Sequence, residues 1–312
     1  MKISAIEQAR ERVASRIKRT PLQRSETLSL RLGTNVFVKL ELFQKTGSFK
    51  VRGAFNKLLS LSAEELSNGV VAVSGGNHAQ AIAHAAAVLS LDAVVLMPES
   101  TPRNYVEATR GYGARVELTP TIAEAFVAIE RYQSEGRVFV HPFDDELVMA
   151  GQGTLGLEIV EDLPEVTDVI VSIGGGGLMA GVATAIKERK PEARIWGVET
   201  VGADAMSQAL AAGRPVQLSA ITSIAKTLGA PSVSESTLSA AQKYLESVTV
   251  VSDQEAVDEL RFLLERLKVL TEPAASCTLA AAERLRSKLG SNVVLILCGG
   301  NLALDDLCAY AK

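Results

Sequence analysis

The chain has 312 residues, 47% of them hydrophobic and 22% charged, with a formal net charge of −4; that is the balance of a folded globular protein of one large or two ordinary domains. It carries no basic stripe, no acidic tail and no uninterrupted apolar run of the roughly 18–20 residues that cross a bilayer, which excludes nucleic-acid and membrane roles. Its three cysteines, Cys277, Cys298 and Cys308, share no metal-type spacing, and an odd count without a signal peptide fits a reducing, cytoplasmic compartment.

Aromatic residues are only 4% of the chain, so the core must be built from Ala, Val, Leu and Ile. The opening segment, 1–24, is charged and periodic. Ile6, Ala9, Val13 and Ile17 recur at helical spacing, and Thr20-Pro21 ends the helix because a residue before proline avoids helical angles. Short β-branched runs then alternate with alanine-rich helical stretches. The predicted strands are 36–42, 70–73, 93–97, 115–118, 138–141, 169–173, 194–198, 248–251 and 293–297. Most are continuous apolar runs, as expected of strands buried on both faces of a parallel sheet, and the alternation with helices predicts α/β architecture.

Two units look alike, VVAVSGGNHAQAIAHAA at 70–86 and VIVSIGGGGLMAGVATAI at 169–186. Each is a buried strand, a glycine-rich turn and a helix of small residues. A third strand ends in LCGGN at 297–301. Three such turns belong at the carboxyl edge of a sheet, where α/β proteins bind ligands. Gly174, Gly175, Gly176, Gly177 and Leu178 can cradle a phosphate against the helix N-terminus behind them. A tight strand-helix turn without a ligand is the plainer reading, but four consecutive glycines exceed what a turn needs. A dinucleotide is a rival ligand, because Gly175, Gly177 and Ala180 satisfy G-x-G-x-x-A and Glu199 follows about 20 residues later. The turn Ser74-Gly75-Gly76-Asn77-His78 offers a hydroxyl, N–H groups, an amide and an imidazole, a set suited to a carboxylate or a ring hydroxyl. His78 taken alone reads as a packed or capping histidine, as do His84 and His141.

The strongest signal is Gln44-Lys45-Thr46-Gly47-Ser48-Phe49-Lys50-Val51-Arg52-Gly53-Ala54. Lys50 stands between Phe49 and an apolar helix. A desolvated lysine there loses basicity and becomes a Schiff-base nucleophile.

With QKTGSFKVRGA, SGGNHAQ, HPFDDELVMAGQGTLGLEI, SIGGGGLMAG, TEPAA and CGGN in this order over nearly the whole length, the chain resembles the fold-type II pyridoxal-phosphate enzymes. Within them it is most similar to the serine/threonine dehydratases and serine racemase. The segments 221–230 and 250–257 and Cys298 lean towards animal-type serine dehydratases, while the first half leans towards threonine dehydratase and racemase.

The resemblance implies two open twisted α/β domains with mostly parallel sheets. Residues 1–50 and 147–312 would form the large cofactor-binding domain and 51–146 the small one. It implies pyridoxal 5'-phosphate as a Schiff base on Lys50, with Lys50 moving protons at the substrate α-carbon. Phe49 would pack on the ring, Asn77 would meet the ring 3' oxygen, and Gly174 to Leu178 would hold the phosphate. Ser74, Gly76, Asn77 and His78 would bind the substrate carboxylate. Cys298 would face the pyridine nitrogen, and a neutral thiol there suits elimination better than transamination. The implied reaction converts L-serine or L-threonine to an oxo acid and ammonia. Dehydration of another β-hydroxy amino acid such as 3-hydroxyaspartate, and serine racemisation, stand as alternatives.

Two departures qualify the likeness. Racemases of this kind carry a serine where this chain has Gly75, so dehydration without efficient racemisation is expected. Their divalent-cation aspartate is Ala205 here, and Glu199, Ala203, Leu228 and Ala230 instead match a monovalent site, for potassium or no metal. No regulatory domain is expected after Asn301, and a homodimer is the usual assembly. Outside the family, a nicotinamide-dependent oxidoreductase and a non-enzymatic anion sensor compete.

Overall fold

The computed structural model describes residues 1–310. Among the described residues ten strands form two sheets. β1 (Leu22–Arg24), β2 (Asn35–Leu40), β7 (Asp168–Ser172), β8 (Arg194–Thr200), β9 (Leu245–Val251) and β10 (Asn292–Leu297) make a six-stranded sheet in the order β1-β2-β10-β7-β8-β9. β3 (Val70–Val73), β4 (Ala93–Pro98), β5 (Arg115–Thr119) and β6 (Val138–Phe139) make the other, ordered β5-β4-β3-β6. Every pairing is parallel except β1 with β2.

The apolar runs explain which strands are central. β3 and β7 are buried at every position, as is β10 after Asn292. β3 lies between β4 and β6, and β10 lies between β2 and β7, so both faces and both edges of each are covered. Each sheet has its own apolar cluster, one around Val38, Val169, Ile195 and Leu295, the other around Val70, Ile82, Val95 and Phe55.

The strand boundaries differ from expectation where side chains are polar. β9 begins three residues early, at Leu245, through a stretch holding exposed Glu246 and Ser247, and it joins β8 across an irregularity at Ile195/Trp196. β6 stops at Phe139, and the antiparallel edge strand β1 has only three residues, too few for a periodic signal. The first helix runs Ile3–Val13 with Ile6, Ala9 and Val13 buried, and Ile17 lies beyond it.

One long helix, Glu146–Asp162, brings the site's two main pieces together. Its middle is buried throughout. A Cβ on Gly151 would lie 2.6 Å from the Gly53 Cα, and one on Gly181 would lie 2.3 Å from the Met149 carbonyl oxygen. Glycine at these crossings lets the Lys50–Leu58 helix and the Gly177–Arg189 helix both touch the same backbone, an approach that any larger residue would block. The lysine and the tetraglycine turn are thereby carried on one rigid frame.

Candidate active site

The carboxyl ends of β3, β7 and β10 open onto a cavity of about 510 Å³, within the range of about 300–1,000 Å³ typical of small-molecule sites. Phe49, Lys50, Ser74, Gly76, Asn77, His78, Gly174, Gly175, Gly176, Gly177, Leu178 and Cys298 all line it. Leu228 and Ala230 do so as well, whereas Glu199 and Ala203 are outside the lining.

Lys50 opens its helix directly after a backbone clasp. Ser48 bridges Gly299, the Phe49 N–H donates to the Cys298 carbonyl at 3.0 Å, and the Gly300 N–H donates to the Gly47 carbonyl at 2.9 Å. The lysine is therefore tied to the end of β10, 248 positions away in sequence. Its Nζ donates to the Pro142 carbonyl at 2.7 Å. Burial pulls its pKa down to about 8, with the nearby Cys298 and Glu272 acting in the opposite direction. Desolvation penalises the ammonium, so the free amine is available near neutral pH.

Two residues on, Arg52 anchors the same helical turn. It is fully buried and grips two carboxylates by both oxygens. Glu41 accepts from Nε and Nη2 at 2.8 Å each, and Glu158 accepts from Nη1 at 2.7 Å and from Nη2 at 2.9 Å. Lys39, also fully buried, donates to Glu158 at 2.6 Å and to the Thr20 carbonyl at 2.7 Å. Burial alone would lower the Arg52 pKa, but its two carboxylates outweigh that and raise it. Against the opposing effect of its burial, Arg52 and Lys39 hold Glu158 below the usual carboxylate range. This charge-balanced cluster joins the Lys50 helix to the long helix and to β2.

At the tetraglycine turn Gly176 has φ +94°, which an L side chain resists. The first backbone bond of the helix behind it runs from the Ala180 N–H to the Gly176 carbonyl at 2.8 Å. The N–H groups of Gly177, Leu178 and Met179 therefore have no partner within the helix, and they sit at its positive end. Close packing accounts for the neighbouring glycines: a Cβ on Gly175 would lie 2.1 Å from the Phe143 ring, and one on Gly174 would lie 3.0 Å from the Leu228 carbonyl oxygen.

Opposite this turn lies a polar network. Asn77 donates through Nδ2 to Glu272 Oε1 at 2.7 Å and accepts at Oδ1 from Asn301 Nδ2 at 2.7 Å. Asn301 in turn donates to the Thr46 carbonyl at 2.8 Å and receives the Tyr105 hydroxyl on its own carbonyl at 2.5 Å. Both ends of the Asn77 amide are thus oriented. Glu272 is buried, and burial pushes its pKa up to about 7, opposed by hydrogen bonds from Asn77 and Thr227 and by Lys50. Glu272 and Asn301 belong to the TEPAA and CGGN motifs, yet their roles were not legible in the sequence. Nothing in either motif says that two segments so far apart meet across Asn77.

The His78 ring is buried, with Nε2 placed 2.9 Å from the Val140 carbonyl. Nε2 must then carry the proton, and burial beside Lys50 lowers the pKa to about 3. Nδ1 is left as a buried acceptor without a partner. The ring is neutral and cannot donate into the cavity; only the His78 backbone N–H can meet an anion. His84 packs edge-on between Phe55 and Tyr112, and His141 accepts from the Phe143 and Asp144 N–H groups, so both are structural. Cys298 is buried with Sγ 3.5 Å from the Ala274 carbonyl, and burial pushes its pKa up, which keeps it a neutral thiol.

Glu199 is the penultimate residue of β8 and is fully buried. Its oxygens accept from the Met206 N–H at 2.8 Å, the Ser207 N–H at 2.8 Å and the Ser207 hydroxyl at 2.7 Å. It caps the Ala205–Ala212 helix, and burial raises its pKa to about 7 despite those bonds. Bound in this way and outside the cavity, it is not placed to meet a dinucleotide ribose.

The sequence profile of a family described as "Pyridoxal-phosphate dependent enzyme" matches residues 13–299. The chain is 43% identical over 310 residues to an L-threonine ammonia-lyase of Geobacter sulfurreducens, covering 98% of this chain and 77% of that one. It is 40% identical over 313 residues to a phenylserine dehydratase of Ralstonia pickettii, covering 99% and 95%. Among solved structures, maize serine racemase superposes with a TM-score of 0.95 at 36% identity, covering 99% of this chain and 96% of that one.

Proposed function

The chain belongs to the pyridoxal-phosphate dependent enzymes, and on that premise we propose that it is a dehydratase (ammonia-lyase) converting L-serine and/or L-threonine to pyruvate or 2-oxobutanoate plus ammonia. The reaction removes the α-proton and the β-hydroxyl as water and later adds water back as the amine leaves, so no oxidant is needed.

The observation that carries this reading is the convergence, on one cavity, of a lysine with pKa about 8 and the free N–H groups of a glycine turn. The residues present fit pyridoxal phosphate. Lys50 supplies an uncharged amine to anchor its aldehyde, and the Gly174–Leu178 backbone supplies an anion seat for its phosphate. Phe49 offers an apolar face beside Lys50, its ring centroid 5.3 Å from Nζ. Asn77, held at both ends, would offer its amide to the ring oxygen, and the neutral Cys298 thiol would face the ring nitrogen. When bound, the cofactor draws electrons from the substrate α-carbon and makes its proton removable.

Lys50 Nζ takes that proton, and leaving the Pro142 carbonyl frees it to do so. The substrate carboxylate is received at Ser74, Gly76 and Asn77 and at the backbone N–H of His78. Residues 1–50 and 147–312 serve as the cofactor-holding domain, and 51–146 as a smaller domain closing on it. We propose potassium or no metal beside Glu199; a potassium ion there would take the Glu199 carboxylate and the carbonyls of Ala203, Leu228 and Ala230 as its oxygen donors. The likeness to the family supports a cytoplasmic homodimer, which sedimentation of the purified protein checks.

Purified protein should be yellow, and borohydride should bleach it and mark Lys50 in a peptide map. Oxo-acid formation is then measured across L-serine, L-threonine, L-phenylserine, 3-hydroxyaspartate and D-serine, with and without potassium. L-Serine or L-threonine should be the best substrate, and with no side chain at Gly75, D-serine should not form from L-serine. A Lys50→Ala variant that kept full turnover would refute the assignment.

A further inference from the structure

One buried hydroxyl in the cavity wall has no partner among the described residues. Thr101 lines the cavity, and its Oγ1 is shielded from bulk water without making a hydrogen bond. A hydroxyl left in that state is destabilising, and a ligand's polar group would offset the loss.

The neighbouring backbone is shaped around this oxygen. A Cβ on Gly75 would lie 2.7 Å from Thr101 Oγ1 and 3.5 Å from the Pro98 ring. Gly75 does not adopt the left-handed conformation that favours glycine. Its missing side chain is therefore a matter of space, and the space it leaves belongs to the threonine hydroxyl. The loop 98–101 is held in turn by the Thr101 N–H donating to the Pro98 carbonyl at 2.9 Å.

The chemistry of the substrate says what this hydroxyl meets. A β-hydroxy amino acid has three polar groups. Its amine would replace Lys50 at the cofactor aldehyde, and its carboxylate requires several donors, which the Ser74 hydroxyl and the N–H groups of Gly75, Asn77 and His78 can provide, those of Ser74 and Gly76 being already bonded to the Leu96 carbonyl and the Ser74 hydroxyl. The β-hydroxyl remains, and it needs a single partner able both to donate and to accept, as a threonine hydroxyl can. We propose that Thr101 is a substrate-binding residue that hydrogen-bonds the β-oxygen of the substrate and so selects hydroxyl-bearing amino acids. This rests on the dehydratase reading above.

The test compares Thr101→Val, which keeps the shape and removes the oxygen, with Thr101→Ser in the holoenzyme. Each is assayed on L-serine, L-threonine and β-chloro-L-alanine. The chlorinated substrate undergoes the same elimination, with chloride leaving, but has no β-hydroxyl. Thr101→Val should lower kcat/KM for the hydroxy substrates about tenfold, the effect of one unmatched hydrogen bond. It should leave β-chloro-L-alanine within about twofold of wild type, and Thr101→Ser should restore most of the loss. An equal loss on both substrate types, or no loss on either, would overturn the proposal. Wild-type enzyme that turned over none of the three would instead overturn the dehydratase reading beneath it.

Discussion

Replacing Arg52 by leucine tests how the Lys50 helix is held. In the wild-type protein two buried cations, Lys39 and Arg52, face two buried carboxylates, Glu41 and Glu158, and the cluster is neutral. Arg52→Leu removes both forks and leaves Glu41 without a cation, so the cluster carries one uncompensated negative charge in the interior. Breaking such a pair from one side costs about 3–5 kcal/mol, because the remaining charge stays desolvated. Glu41→Gln in the Arg52→Leu background removes the orphaned charge and should recover at least about 1 kcal/mol relative to the sum of the single changes. Urea unfolding of the wild type, the two single variants and the double variant measures this as shifts in midpoint at constant slope. A cost below about 1 kcal/mol for Arg52→Leu, or strict additivity in the cycle, would show that the forks are not what pins the helix.

Three further outcomes are expected. Borohydride trapping of pyridoxal phosphate on the apoprotein should rise with pH to a plateau with a midpoint near 8 at Lys50, about two units below ordinary lysines; a midpoint near that of surface lysines would contradict the burial argument. Glu272 has a folded-state pKa raised to about 7, so the apoprotein loses stability as pH rises from the ordinary carboxylate range through 7. Glu272→Gln should therefore stabilise the apoprotein by about 1–3 kcal/mol at pH 8 and by almost nothing near pH 4, as read by thermal melts across pH. Gly175→Ala drives a methyl into the Phe143 ring, and equilibrium dialysis should show cofactor affinity at least about tenfold weaker, partly restored by Phe143→Leu. Unchanged affinity would mean that the turn tolerates a side chain.

Much of this site could be read from the sequence because its signals are local. A glycine turn after a buried strand, or a lysine before an apolar helix, shows within about ten residues. The central strands were equally plain, since β3, β7 and β10 are built on the apolar runs Val70–Val73, Val169–Val171 and Val293–Leu297. The parts that escaped are non-local or polar. Whether the Glu272 carboxylate reaches Asn77, or the Asn301 amide does, depends on how two sheets meet. The His78 imidazole was expected to face an anion, but the Val140 carbonyl claims its one proton. Glu199 reads as a ribose ligand in one dimension, and in three its carboxylate caps a helix outside the cavity. Thr101 gave no signal at all, because its significance comes from the atom missing at Gly75.

The clasp between Gly47–Phe49 and Cys298–Gly300 has a consequence for how the protein is born. The anchor lysine leaves the ribosome well before β10, the strand that seats it. Until then the segment has no partner for its backbone, and cofactor capture must await synthesis of that strand. Prematurely terminated chains lacking that strand would thus be unable to sequester the vitamin.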